Sequence, residues 1–181
     1  VWYSRKITYW RIKPMNLPVN IVELCRKLGI AVKYYDKLEQ GNDGKCTVIN
    51  NQAIILVRQE CNRQRKRFTI AHELGHILLG HVGKYELINR EISPTDNPIE
   101  QEANVFASRL LAPACVLWGL KVKSADEISQ LCDISPTAAE YRWQRMQKLY
   151  ERNKFLIAPL EREVFNQFQE FISNHRHQAN P

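Results

Sequence analysis

Apolar residues recur along this chain at two different periods, and each switch between them marks an element. Val19, Val22, Leu24 and Leu28 predict a helix over Pro18–Leu28, which Gly29 stops before the β-branched run Ile30-Ala31-Val32 opens a strand. Cys46–Asn50 and Ala53–Val57 flank the pair Asn50-Asn51 in the manner of a hairpin, so a small sheet is predicted. Asn62–Arg67 reads as a polar, basic link. From Phe68 to Leu79 the apolar positions take helical spacing until Gly80 and Gly83 end it. Val82–Asn97 reads as irregular, and Ile99–Leu111 as a second strong helix closed by Pro113. Ser124–Cys132 and Ser135–Leu149 each open on a serine suited to N-capping. Leu160, Val164, Phe168 and Ile172, spaced by four, predict a last helix over Pro159–Ser173. The polar tail after Asn174, with His175 and His177, reads as a frayed end.

Composition narrows the class. With 181 residues, 44% hydrophobic and 25% charged, the chain is an ordinary globular one, and disorder or a collagen-like repeat is excluded. The net charge of +7 is uneven: residues 1–70 carry 14 basic and 5 acidic side chains, residues 71–120 carry 3 and 6, and residues 121–181 carry 9 and 8. Such an N-terminal excess favours acidic partners or nucleic acid without specifying either. Cys25, Cys46, Cys61, Cys115 and Cys132 form no Cys-x-x-Cys pair and fit a reducing compartment. Val1–Ile12 lacks the apolar core of a signal peptide, and no stretch approaches the roughly 18 apolar residues of a membrane helix. The expectation is a cytoplasmic protein without a membrane partner.

The sharpest chemical signal is His72-Glu73-Leu74-Gly75-His76. A separation of four puts both imidazoles on one helix face about a turn apart, able to share one zinc ion. Glu73 follows His72 by about 100° of rotation, so its carboxylate stands beside a metal rather than on it, placed to take a proton from water there. Two surface histidines with an intervening glutamate would be the bland alternative. Against it, Phe68, Ala71, Leu74 and Leu78 form an apolar stripe, and Gly75 is costly in mid-helix unless another backbone packs closely.

Catalytic zinc keeps three protein ligands and one open position. Ile99–Leu111 offers Glu100, Glu102 and Asn104, with Ile99, Ala103, Phe106, Ala107 and Leu110 as its apolar face. Glu100 and Asn104 are four apart, so one can ligate while the other hydrogen-bonds a ligand histidine. Glu102 lies roughly 200° around the helix from Glu100 and reads as solvent-facing or paired. His81 is the alternative third ligand, a residue on the substrate or proton-transfer side, or a plain loop histidine. The extended metzincin spacing is excluded, because it needs Gly at 79 and His at 82 where the chain has Leu79 and Val82. Tyr85 and His81 are both candidates to stabilise an oxyanion. Two histidines and a glutamate also accept divalent ions other than zinc.

The run Arg67–His81, then Glu100-Gln101-Glu102-Ala103-Asn104-Val105-Phe106-Ala107 and Leu110-Leu111-Ala112-Pro113, resembles the ImmA/IrrE metallopeptidases. Similarity extends over roughly residues 16–150, with Ala112 where such proteins often carry Met. The resemblance implies an α+β fold: a zincin-like metallopeptidase core with a small mixed or antiparallel sheet packed on the His-Glu-x-x-His helix, followed by a helical C-terminal part. It implies zinc held by His72, His76 and Glu100, with Glu102 the weaker candidate, and Glu73 as general base. The implied activity is that of a zinc endopeptidase of bacteria, phages or mobile elements, acting on a helix-turn-helix transcriptional repressor. The expected organisation is an extension over 1–15, the core over 16–120, a helical pair over 121–150 and a C-terminal helix and tail over 151–181.

Ala53–Val57 is a candidate edge for pairing with a substrate strand, although its lack of alternation suits a central strand as well. Arg63, Arg65, Lys66 and Arg67 cluster ahead of the zinc helix, either as a solvated run or as a surface for an acidic partner. Ser124–Met146 resembles a helix-turn-helix, yet Glu140, Tyr141 and Trp143 interleave with Arg142 and Arg145, so packing on the core is favoured over DNA contact. Two functions therefore stand: a zinc endopeptidase cutting a regulatory protein, or a non-proteolytic sensor module that binds a regulator or DNA.

Overall fold

A computed structural model describes residues 16–36, 43–82 and 97–179, and the extension, Gly83, Tyr85 and the end of the tail lie outside them. The chain divides into two compact units. Of the described residues, the first holds Ile21–Ser108 and the second residues 16–20 with Arg109 onward.

In the first unit, α1 (Ile21–Lys27) ends at Gly29, whose φ of +71° turns the chain into β1 (Ala31–Tyr35). β2 (Gly44–Ile49) and β3 (Gln52–Arg58) form the hairpin. Asn50 and Asn51 both hold positive φ (49° and 63°), the tight-turn geometry whose twist matches that of the strands. The sheet order is β1-β3-β2, with β1 parallel to β3 and β2 antiparallel to it. This decides between the two readings of Ala53–Val57: it belongs to the central strand, its backbone bonded on both sides, and offers no free edge for a substrate. Its buried residues alternate, Ala53, Ile55 and Val57 packing into the core.

α2 (Arg63–Leu79) starts five residues before the predicted Phe68, so Asn62–Arg67 is not a link. Asn62 is the N-cap, its side-chain oxygen accepting from the Arg65 N–H. Arg65 in turn pairs with Asp43 at the head of β2, which offsets the cost of basic residues at a helix N-terminus. α3 (Pro98–Leu111) follows, and Gly75 sits where it crosses α2. A Cβ there would stand 3.0 Å from Phe106 Cδ1 and 3.4 Å from the Ala103 Cα, so α2 comes close to the α3 backbone with the Phe106 ring at its side.

The second unit is helical: α4 (Ala114–Gly119), which the apolar pattern did not announce, α5 (Ala125–Cys132), α6 (Pro136–Glu151), α7 (Pro159–Gln167) and α8 (Gln169–Ala179). The single helix expected over Pro159–Ser173 is broken at Phe168. Ser124 and Ser135 cap α5 and α6 as predicted. Arg142 on α6 is buried and donates from Nε to the Ala112 carbonyl at 2.6 Å. Burial lowers its pKa to about 10, and it presents no guanidinium for reading DNA. No helix among the described residues is long and apolar enough to cross a membrane.

Candidate metal centre

Helix period brings His72 and His76 to one face of α2, and the Gly75 crossing brings Glu100 opposite them. His72 Nε2 and His76 Nε2 are 3.0 Å apart. Glu100 Oε2 lies 3.1 Å from the first, and its Oε1 lies 3.4 Å from the second. Among the described residues these three form the group able to hold a metal ion, one ligand atom from each lying within 4.8 Å of the others.

Their hydrogen bonds test whether a cation suits them. His72 Nδ1 is 2.9 Å from Asn104 Oδ1, an oxygen that can only accept, so Nδ1 carries the proton and a neutral His72 turns a bare Nε2 lone pair inward. Glu100 contributes carboxylate oxygens, which are acceptors. Acceptors converging at 3.0–3.4 Å repel one another unless a proton or a metal ion lies among them. Two imidazole nitrogens and one carboxylate are a zinc donor set, so the residues fit the ion. Burial lowers the proton affinity of His72, but the Glu100 hydrogen bond and the carboxylates of Glu73 and Glu100 outweigh it, and the pKa is raised.

Glu73 is on α2 but outside the triad. It is buried, and burial raises its pKa above the ordinary carboxylate value even though the Cys46 thiol donates to it and both histidines stand close. Cys46, on β2, was not singled out from the sequence, since nothing in its spacing ties it to the helix. Burial first, and then the Glu73 carboxylate, push its thiol well above the ordinary range. Gly44, also on β2, lets that strand close on the helix, for a Cβ there would collide with Thr69 Cγ2 and sit 3.4 Å from Glu73 Cγ.

Glu102 stays clear of the triad, with its side chain 65% exposed and one oxygen, Oε2, 3.1 Å from His81 Nε2. His81 is buried and presents Nδ1 to Nδ1 of His76 at 3.2 Å, on the side of that ring away from the converging Nε2 atoms. Its burial lowers its pKa.

Residues 25–144, 120 of the 181, match the IrrE N-terminal-like domain, and the chain belongs to this family of peptidases. Its fold is accordingly the zincin-like α+β arrangement. The chain is similar to a radiation response metalloprotease, IrrE, of Deinococcus deserti, with 31% identity over 99 residues, 49% of this chain and 34% of the relative. It thus spans about a third of that protein's length. Among solved structures it is similar to a Mycobacterium tuberculosis transcriptional regulator at 17% identity, with a TM-score of 0.49, over 75% of this chain and 44% of the other.

Proposed function

We propose that this chain is a zinc-dependent endopeptidase that hydrolyses a peptide bond in a regulatory protein of the helix-turn-helix repressor class. The observation that carries it is the division of labour on α2: His72 and His76 turn Nε2 toward Glu100, while Glu73, one residue from His72, stands buried outside the set. A purely structural site would be closed by four ligands and would need no carboxylate beside them.

His72, His76 and Glu100 would hold the ion, with Asn104 keeping the His72 tautomer in place. Zinc held there would supply Lewis acidity towards a carbonyl oxygen and would lower the pKa of water towards about 7. Glu73 is the general base: its carboxylate takes the proton of the attacking water, holds it in the buried site, and returns it to the leaving nitrogen. A proton affinity raised by burial suits both halves of that transfer. Of the two outer strands of the described sheet, β2 is the one whose Gly44 and Cys46 lie against Glu73, so an extended substrate would pair along β2. The repressor class rests on the resemblance of the two motifs to ImmA/IrrE proteins, and a cytoplasmic setting on the free cysteines.

The test is cleavage of helix-turn-helix repressors by the zinc-loaded protein, read by mass spectrometry, for the parent and Glu73→Gln. Cleavage by the parent and a loss of at least about 100-fold in the variant, at equal zinc content, is the expected result. Intact repressor in both, with zinc bound, would leave the non-proteolytic reading.

A further inference from the structure

Gly80 ends α2 in the left-handed conformation, φ +77°. Its N–H donates to the Ile77 carbonyl and the N–H of His81 to that of His76, the paired bonds of a Schellman cap. This turn folds the chain back on the last turn of α2, and it is what brings the imidazole of His81 against that of His76. The ring centroids are 5.2 Å apart and nearly perpendicular, so the contact is edge-on through nitrogen and not a stack.

Proton placement along the contact follows from its far end. Glu102 is a carboxylate and can only accept, so His81 Nε2, 3.1 Å away, is the donor. A neutral imidazole has one ring proton, which leaves His81 Nδ1 as an acceptor. Across 3.2 Å it faces His76 Nδ1, which must then carry the proton of that ring. The other nitrogen, His76 Nε2, is left with a lone pair aimed at Glu100 and His72.

We infer that His81 and Glu102 form a positioning relay, Glu102 to His81 to His76, which fixes the tautomer and ring orientation of His76 so that Nε2 is the nitrogen offered to the metal. The inference rests on the metal reading of the triad and assigns neither residue to the reaction itself. His72 reaches the same state through one amide, Asn104, on the helix facing it. His76 uses a histidine from its own helix cap instead, itself held by a carboxylate from α3. The Gly80 cap and the α2–α3 crossing are therefore both needed to set one ligand. Hydrogen-bonded partners of this kind are typically worth 10–100-fold in metal affinity. Because Glu102 is largely exposed and water can replace it, most of the effect belongs to His81.

The full chain is titrated with zinc against a chromophoric chelator, for the parent, His81→Leu, His81→Asn and Glu102→Ala. His81→Leu is expected to weaken zinc binding 10–100-fold and Glu102→Ala by a few fold. His81→Asn keeps an acceptor oxygen near Nδ1 and should recover most of the loss. Long-range nitrogen-15 spectra of the zinc-loaded parent should show His76 protonated at Nδ1 with metal on Nε2, a signature that bulk packing does not set. Folded His81→Leu with parental zinc affinity would overturn the relay, and so would a His76 ring protonated at Nε2. Should His81→Leu fail to fold, the parental spectrum and the exposed Glu102→Ala variant decide. A parent that binds no zinc removes the metal reading along with the relay, and this shows before any variant is compared. A parent that binds zinc but cleaves no repressor removes the peptidase reading alone.

Discussion

The Cα of Ala103 stands 3.4 Å from the point where a Cβ on Gly75 would lie, so α2 and α3 cross backbone to backbone at the level of the two histidines. This approach sets the reach of Glu100 and Asn104. Gly75→Ala gains up to about 1 kcal/mol of helix propensity and presses on Phe106 Cδ1, a side chain that can rotate, so its melting temperature should stay near the parent's. Gly75→Leu must push the helices apart, at a cost of about 1–3 kcal/mol. It should also weaken zinc binding at least tenfold, because Glu100 retreats with α3. Calorimetry and chelator competition on the two variants measure these effects together.

Glu100 and Glu102 are two residues apart on α3, yet only Glu100 meets the histidines. Glu100→Ala should lose more than about 100-fold in zinc affinity, while Glu102→Ala loses only a few fold. Competition titration separates the two, and equal losses would reopen the choice of third ligand.

Asp43 joins the head of β2 to the first turn of α2 through Arg65, with Arg58 and Cys61 also against it. Partial burial works to raise its pKa, but the Arg65 hydrogen bond and charge prevail and hold the carboxyl low. A depressed pKa gives stability that is present above the unfolded value of about 3.9 and is lost as pH falls through the folded one. Asp43→Asn should therefore unfold more easily than the parent at pH 7, by about 0.5–1 kcal/mol for so exposed a pair. The gap should close towards pH 3, and denaturant titrations at the two pH values measure it.

Arg142→Ala should destabilise the chain by about 2–4 kcal/mol, since it empties a buried site and strips the Ala112 carbonyl of its donor. Arg145→Ala, on the exposed face of α6, should change stability by no more than about 0.5 kcal/mol. Thermal melts of the two variants read the contrast. Equal effects would mean that the α6 arginines are both surface groups.

The His72/His76 pair, the flanking Glu73 and the apolar stripe of α2 were legible in the sequence because the helical period is local: four residues fix which side chains share a face. Caps and turns were legible for the same reason, at Gly29, Asn50-Asn51, Ser124 and Ser135. Three local features escaped the pattern. Asn62 opens α2 among basic residues that obscure a helix start. The short α4 spans too few residues to show a period. Phe168, spaced like a helical core position and fully buried, marks a break between two helices. What the sequence determined by itself was the helix with its two histidines on one face, the glutamate beside them and the acidic candidates facing it. Only the tertiary structure decided that Glu100 and not Glu102 meets both histidines, that His81 lies against His76, that Cys46 lies on Glu73, and that Ala53–Val57 is central. The contacts among the helices and β2 depend on how closely α2, α3 and that strand approach, a distance set by Gly75, where α2 nears the α3 backbone, and by Gly44, where β2 closes on the Thr69 and Glu73 side chains; the place of Ala53–Val57 depends on strand pairing across the sheet.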